Sequence, residues 1–268
     1  MNQLAVITGA TGGIGGAIAA ALAEEGYALL LTGRQADKLS ALQAELQARY
    51  DVDVSSIAAD LTQPEDRAAL VNAIGSQAQS FKLLVNNAGT SQFGLFVDSS
   101  DDLTEALIRT NVTAPICLTR AVLRQFGGSG SRVEVINIGS TFGIIGYPGF
   151  ATYSATKFAL RGFSQALARE YGDTDIRIRY FAPRATQTGL NSAAVNALNT
   201  ELSVTMDSTE TVARAFAKFL RGKKLVGHIG WPERFFVWLN KVSPGTVGSA
   251  LIKQLPVIRR HARTVSSG

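Results

Sequence analysis

Short apolar runs alternate with segments of helical spacing along almost the whole of this 268-residue chain. The runs are "LAVIT" (4–8), "ALLLTG" (28–33), "VSSIAAD" (54–60), "KLLVNNAG" (82–89), "RVEVINIGS" (132–140), "IRIRYFAP" (176–183) and "LVGHIG" (225–230). Several are apolar on both faces, as strands buried inside a parallel sheet must be. Between them "GGAIAAALAEEG", "ADKLSALQAELQARY", "LTEALIRTNVTAPICLTRAVLRQF" and "YSATKFALRGFSQALAREY" carry apolar residues at helical intervals. Strand and helix alternating in this way predict βαβ units and a doubly wound α/β fold, a seven-stranded parallel sheet with helices on both faces. No repeat or low-complexity linker interrupts residues 1–231, which read as one domain. Residues 232–268 read as a basic, apolar extension.

Composition narrows the class. Apolar residues make up 46% and charged residues 18%, which is globular. No run reaches the roughly 18 apolar residues of a membrane span. "LAVITGATGG" is not preceded by a basic and apolar leader, so no signal peptide is expected and the expected compartment is the cytoplasm. Cys117 is the single cysteine, placed in an apolar helical pattern, and reads as a core thiol. With only His228 and His261 besides, a metal site is not expected. The net charge is +5, and residues 232–268 hold six basic residues against Glu233, so 6 − 1 = +5 lies there and the remainder is neutral.

In an open parallel sheet, ligands bind beyond the carboxyl ends of the strands. The first run opens into "TGATGGIGGAIAAAL". Glycines at a strand-to-helix turn let backbone N–H groups approach a pyrophosphate, and the helix dipole favours its charge. A tight packing turn would look the same. The second run ends at Gly33 and Arg34, where an acid would mark a free ribose 2′-hydroxyl. A guanidinium there suits a 2′-phosphate, so NADP(H) is expected in preference to NAD(H). Asp60 ends the third run and could accept from adenine or cap the next helix. "NNAG" (86–89) offers small residues against which a ring and ribose could lie.

"TYSATKF" (152–158) places Tyr153 and Lys157 four apart, on one face of a helix. A nearby ammonium stabilises phenolate and lowers the tyrosine pKa, which would tune a proton donor. Ser140 ends the fifth run, where its hydroxyl could bond a carbonyl oxygen. A half-buried tyrosine beside a snorkelling lysine is the bland reading of the pair.

These elements occur together and in order, and over residues 3–231 the chain resembles the short-chain dehydrogenase/reductase family, whose sheet is of Rossmann type. The resemblance implies a catalytic tetrad. Tyr153 would be the general acid/base, Lys157 would lower its pKa and hold the nicotinamide ribose, and Ser140 would polarise the carbonyl. Asn111, in "RTNVTAP", would hold a water joining Lys157 to solvent. It also implies that Gly9, Thr11, Gly12, Gly13, Ile14 and Gly15 cradle the pyrophosphate. Asp60 and Leu61 would meet the adenine, and Asn87, Ala88 and Gly89 the adjoining ribose. Pro183, Thr186 and Thr188 would meet the nicotinamide. One position departs: "APRATQTG" has Arg184 where the family often has glycine, which puts the local backbone path in question and admits a contact to an anionic substrate.

The implied reaction is hydride transfer between NADP(H) and the carbonyl or alcohol of a mostly apolar small molecule, a ketone, aldehyde or 3-oxoacyl group. A non-catalytic NADP(H) sensor on the same fold is the alternative. Phe93, Phe96, Phe142, Ile144, Ile145 and Tyr147 are expected to form an apolar wall, and 186–207 a lid. The family implies a homodimer or homotetramer through the helices carrying Asn111 and Tyr153. For residues 232–268 three readings stay open: packing on the body or a partner subunit, peripheral contact with a membrane, or contact with an acidic carrier. Nothing in the chain resembles a nucleic-acid reading motif, so no nucleic acid is expected.

Overall fold

The computed structural model describes residues 2–128, 130, 132–228, 230 and 233–266. Its seven strands are β1 (Leu4–Thr8), β2 (Ala28–Gly33), β3 (Val54–Ala58), β4 (Phe81–Asn86), β5 (Glu134–Ile138), β6 (Arg177–Ala182) and β7 (Val226–His228). All pair in parallel in the order β3-β2-β1-β4-β5-β6-β7. The chain winds outward from β1 to β3, crosses back, and winds the other way from β4. The reversal falls between β1 and β4, the place where such sheets open a crevice.

Helices α1 (Gly13–Glu24), α2 (Ala36–Arg49), α3 (Pro64–Gly75), α4 (Asp101–Ile108), α5 (Ala114–Phe126), α6 (Ala151–Glu170), α7 (Ala193–Glu201), α8 (Thr209–Arg221), α9 (Glu233–Val242) and α10 (Pro244–Ser266) complete the fold. Strand β1 explains the two-sided apolar runs. Ala5 and Ile7 point to one face, against Ile18 of α1, Leu46 of α2 and Phe216 of α8. Leu4 and Val6 point to the other, against Ile74 of α3, Leu118 of α5 and Leu167 of α6. Truncating such a buried side chain to alanine costs about 2–5 kcal/mol.

Two segments differ from expectation. Residues 101–126 are not one helix: a π-helical turn over Arg109–Thr113 separates α4 from α5. Pro115 has no N–H to return to the carbonyl of Asn111 four residues back, so the regular ladder slips there. The expected lid contains α7, whose first turn is capped by Ser192 accepting from the Val195 amide at 3.3 Å. The described part of the extension is helical, and α10 packs along α7. The expected boundary at 231/232 lies outside the described residues. No described helix is long and apolar enough to cross a membrane.

Candidate active site

Loops at the carboxyl ends of β1, β4 and β5 meet the start of α6, and the local chemistry explains each approach. After β1, Gly9 adopts a φ of +63°, and a Cβ there would lie 2.8 Å from the Ala88 Cα. A Cβ on Gly15 would lie 2.3 Å from the Gly9 carbonyl oxygen. Only glycine fits either place. The β1 and β4 turns are stitched together by Thr8, whose Oγ1 accepts from the Asn87 and Ala88 amides at 3.0 and 2.9 Å. The Asn87 side-chain amide donates to the Thr8 and Gly9 carbonyls, each at 3.0 Å. This glycine turn opens α1 without filling its N-terminus, the cradle that a pyrophosphate requires.

The expected nucleotide contacts fall on both sides of this turn. Gly33 stands against Thr11, since a Cβ there would lie 3.3 Å from the Thr11 hydroxyl. Arg34 follows, exposed, near enough to Asp60 to lower its carboxyl pKa as a minor cause. Asp60 serves the local turn: its Oδ1 accepts from the Thr62 amide at 3.0 Å and the Thr62 hydroxyl at 2.8 Å. Those bonds, led by the backbone one, hold its carboxyl below the usual range. The side chain of Leu61 belongs to the core, and its carbonyl accepts from Arg67 at 2.7 Å. Gly12 and Ile14 lie in the turn and the first turn of α1. Pro183 ends at the buried edge of β6, where its carbonyl accepts from the Thr141 amide at 3.2 Å. Thr186 is buried and donates to the Arg184 carbonyl at 2.8 Å, closing a turn. Thr188 approaches the glycine turn; a Cβ on Gly13 would lie 3.2 Å from its methyl.

Tyr153, Lys157, Ser140 and Asn111 come together as expected. The α6 helix sets Tyr153 and Lys157 on one face, with the ammonium 5.7 Å from the phenol ring centre. Lys157 is buried, and its Nζ donates to the carbonyl of Ile138, the last residue of β5, at 3.1 Å. The Ser140 hydroxyl lies close enough to the Tyr153 phenol to lower its pKa, and its Oγ accepts from the Phe142 amide at 3.1 Å. Asn111, buried in the π-turn, accepts from the Thr90 amide at 2.9 Å and donates to the Thr90 carbonyl at 2.8 Å. It also donates to the Thr156 hydroxyl at 3.1 Å, one residue before Lys157. Gly89 fits because a Cβ would lie 3.2 Å from the Asn111 Oδ1.

The ionisation balance differs from expectation. Burial pushes the Tyr153 phenol up to about 12, opposed by the nearby Ser140 hydroxyl. Burial also brings Lys157 down to about 8. Removing a phenolate from water outweighs an ammonium that sits over the ring face. At neutral pH the pair is therefore a protonated phenol beside a charged lysine, the form a proton donor needs.

Several functional neighbours carry no signal in the linear pattern. Tyr180, on β6, is fully buried beneath Ser140. Its hydroxyl accepts from the Ser140 amide at 3.3 Å and donates to the Lys157 carbonyl at 3.3 Å. Gly139 and Gly143 make room for it: a Cβ on either would lie 2.1 or 2.3 Å from the Tyr180 hydroxyl. Arg184 is held by Asp207 through two bonds, Nε to Oδ2 at 2.7 Å and Nη2 to Oδ1 at 2.6 Å. Of the expected wall, Phe93, Phe142 and Tyr147 gather near Tyr153 with Phe150. Phe142 lies parallel to Tyr147 at 4.8 Å and edge-on to Tyr153 at 6.3 Å. Ile144 and Ile145 pack instead around Tyr180, and Phe96 is exposed. The wall gains Leu198 of α7 and Ile258 and Ala262 of α10, with the Tyr147 hydroxyl donating to Gln254 at 2.9 Å.

A glycine turn lies at the switch point of a doubly wound sheet, with a serine, a tyrosine, a lysine and an asparagine gathered beside it. The chain belongs to the short chain dehydrogenase family, which matches it over residues 3–199. A 3alpha-hydroxysteroid dehydrogenase of Mediterraneibacter gnavus is 30% identical over 221 residues, 80% of this chain and 88% of that protein. A short-chain dehydrogenase from Sphingobium yanoikuyae, solved in complex with NADPH, is 30% identical with a TM-score of 0.79, covering 92% of this chain and 95% of that one. The bulky-bulky ketone specific alcohol dehydrogenase from Comamonas testosteroni is 29% identical with a TM-score of 0.76, covering 92% and 94%.

Proposed function

We propose that this protein is an NADP(H)-dependent carbonyl reductase acting on a bulky, mostly apolar ketone, aldehyde or 3-oxoacyl group. The observation that carries the reading is the Tyr153 hydroxyl: protonated at neutral pH, placed beside Ser140 and backed by the Lys157 ammonium. Gly9, Thr11, Gly12, Gly13, Ile14 and Gly15 would hold the pyrophosphate, and Asn87, Ala88 and Gly89 a ribose. Asp60 and Leu61 would border the adenine, and Pro183, Thr186 and Thr188 the nicotinamide. Arg34 would bond a 2′-phosphate. When bound, the reduced cofactor supplies hydride to the carbonyl carbon.

Ser140 donates to the carbonyl oxygen and stabilises the charge that develops there. Tyr153 gives that oxygen its proton. Lys157 steadies the resulting phenolate, and a proton returns to Tyr153 along the Lys157 side, past Asn111 with its bonds to Thr90 and Thr156. The aromatic wall of Phe93, Phe142, Tyr147 and Phe150 excludes water and suits an apolar substrate. The steroid and bulky-ketone activities named for the two relatives agree with such a cleft. Exposed Leu103 and Ile108 of α4 and Phe158 of α6 support a homo-oligomer across those helices. The working compartment on this reading is the cytoplasm.

The test follows loss of reduced-cofactor absorbance with NADPH and, separately, NADH over a panel of short and long ketones, aldehydes and a 3-oxoacyl thioester. NADPH turnover is expected, and Tyr153→Phe should lower it by about 10²–10⁴ while leaving NADPH affinity unchanged. Arg34→Ala should cut the preference for NADPH by about tenfold or more. Retention of most of the rate by Tyr153→Phe removes the proton-donor assignment. Tight NADPH binding with no turnover across the panel would favour a sensor.

A further inference from the structure

The basic extension divides its helices between two jobs. Val237 of α9 and Ile258 and Ala262 of α10 are buried against the body. The opposite side of α9 carries Phe235, Trp238 and Val242 at i, i+3 and i+7, a single outward stripe, with Trp238 55% and Val242 64% exposed. Phe235 lies 5.9 Å from Trp238 and 6.0 Å from Phe236, ring centre to ring centre, so the aromatics form one patch. On α10 the positions Ile252, Arg259 and Arg263 recur at i, i+7 and i+11, and all three are exposed, Ile252 by 62%. Lys241 ends α9 exposed, and Lys253 is exposed on α10.

We propose that the exposed sides of α9 and α10 dock on an anionic lipid surface, the aromatic stripe of α9 entering the headgroup boundary while Lys241, Lys253 and Arg259 meet phosphate. Charge decides among the occupants. Residues 232–268 carry +5 by sequence and the rest of the chain is neutral; Arg260 is paired with Glu201 of α7, and Lys241, Lys253 and Arg259 keep the exposed sides of the two helices positive. A second copy placed symmetrically on this face would bring two positively charged segments together, a like-charge contact that disfavours the pairing. A bilayer with anionic headgroups neutralises the charge and also accepts the rings, whose amphipathic shape suits that depth. The inference concerns this face alone and stands whether or not the reductase reading holds.

The experiment uses the full chain in flotation with vesicles of phosphatidylcholine alone and of phosphatidylcholine mixed with phosphatidylglycerol, at low and high salt. Partition into the mixed vesicles should exceed that into neutral ones by about tenfold or more at low salt and fall as salt rises. Phe235→Ser with Trp238→Ser should lose most of the binding, and Lys253→Glu with Arg259→Glu should erase the anionic preference. Circular dichroism and thermal unfolding establish that each variant is folded. Failure of the folded wild-type chain to float with anionic vesicles at low salt overturns the proposal. So does partition that ignores both pairs of substitutions. Equal retention on soluble polyglutamate, without flotation, would assign the face to an acidic protein. Self-association in sedimentation that Trp238→Ser abolishes, again without flotation, would assign it to a second copy.

Discussion

Replacing Tyr180 by phenylalanine removes one oxygen atom from beneath the site and nothing else. That oxygen accepts from the Ser140 amide and donates to the Lys157 carbonyl, each at 3.3 Å, so one atom ties the Ser140 loop to the helix that carries Lys157. It touches no reacting group, and burial holds its pKa above that of ordinary tyrosine, so it stays a neutral phenol throughout the working range. Both bonds are long, and their loss alone is worth about 1 kcal/mol. The Ser140 amide, left without this acceptor in a buried place, raises the total to about 1–3 kcal/mol. For a chain of this size that corresponds to a fall in Tm of several degrees. A displacement of about 1 Å in a positioned group can lower a rate by about 10²-fold, so kcat should drop by about 10–100-fold. KM should change little, because no atom of the substrate cleft is removed. The pH midpoints should stay where they are while the plateau falls, since Tyr180 itself does not titrate. Steady-state kinetics of Tyr180→Phe across pH, alongside thermal unfolding, make the check. A stable variant with kcat within about twofold of wild type would refute the positioning role.

Lys157→Met tests the ionisation balance through stability. Burial lowers the Lys157 pKa from 10.5 to about 8. Between those values the unfolded chain binds a proton that the folded chain lacks, so stability should rise with pH across that window by about 2–3 kcal/mol. Buried Tyr153 and Tyr180, whose pKa values are raised, pull the other way near pH 10 in both chains, so urea unfolding at pH 8 and 10, without added cofactor, should show the change in wild type exceeding that in the variant by this amount. Asp207→Ala leaves the Arg184 guanidinium largely buried without its carboxylate and should cost about 3–5 kcal/mol; Arg184→Met with Asp207→Leu should recover most of that in the same assay. Ser203 has a φ of +52° just beyond α7, while the Val204 amide reaches back to the Asn199 carbonyl at 2.8 Å. Glycine prefers that backbone, so Ser203→Gly should raise stability by about 0.5–1 kcal/mol in thermal unfolding.

The sheet was legible because its strands are buried on both faces, which writes continuous apolar runs into the chain. Gly9 and Gly15 were legible because close backbone approach excludes every side chain. Tyr153 and Lys157 were legible because four residues make one helical step. What the linear pattern could not carry was contact between distant segments. Tyr180 reads as one more apolar strand position until Gly139 and Gly143 are seen folded over its hydroxyl. Asp207 lies twenty-three residues from Arg184, and neither residue announces the other. The break before α5 hinged on Pro115, a residue equally at home in the first turn of a helix. The direction of the Tyr153 shift was missed for the same reason: adjacency to lysine can be read locally, whereas burial comes from the whole wall.

Arg184 shows how a departure from the family pattern is absorbed. A glycine at such a place serves when the chain must pass close to a ring or adopt a positive φ. Among the described residues Ser203 is the one non-glycine at positive φ, so Arg184 follows an ordinary backbone path and needs no glycine. Its side chain turns to Asp207, which is buried, and their two parallel bonds fix distance and angle together. Beside that pair, the Asp207 amide donates to the Ala185 carbonyl at 2.8 Å and the Gln187 amide to the Asp207 carbonyl at 2.9 Å. The two ends of the lid are thereby clamped at its base, with α7 carried above. Removing two charges from water offsets much of their attraction, so the pair contributes geometry more than net stability. The consequence is positional: the base of the segment is fixed beside Thr186, and Leu198 of α7 is held in the same aromatic wall as Phe93, Phe150 and Tyr153.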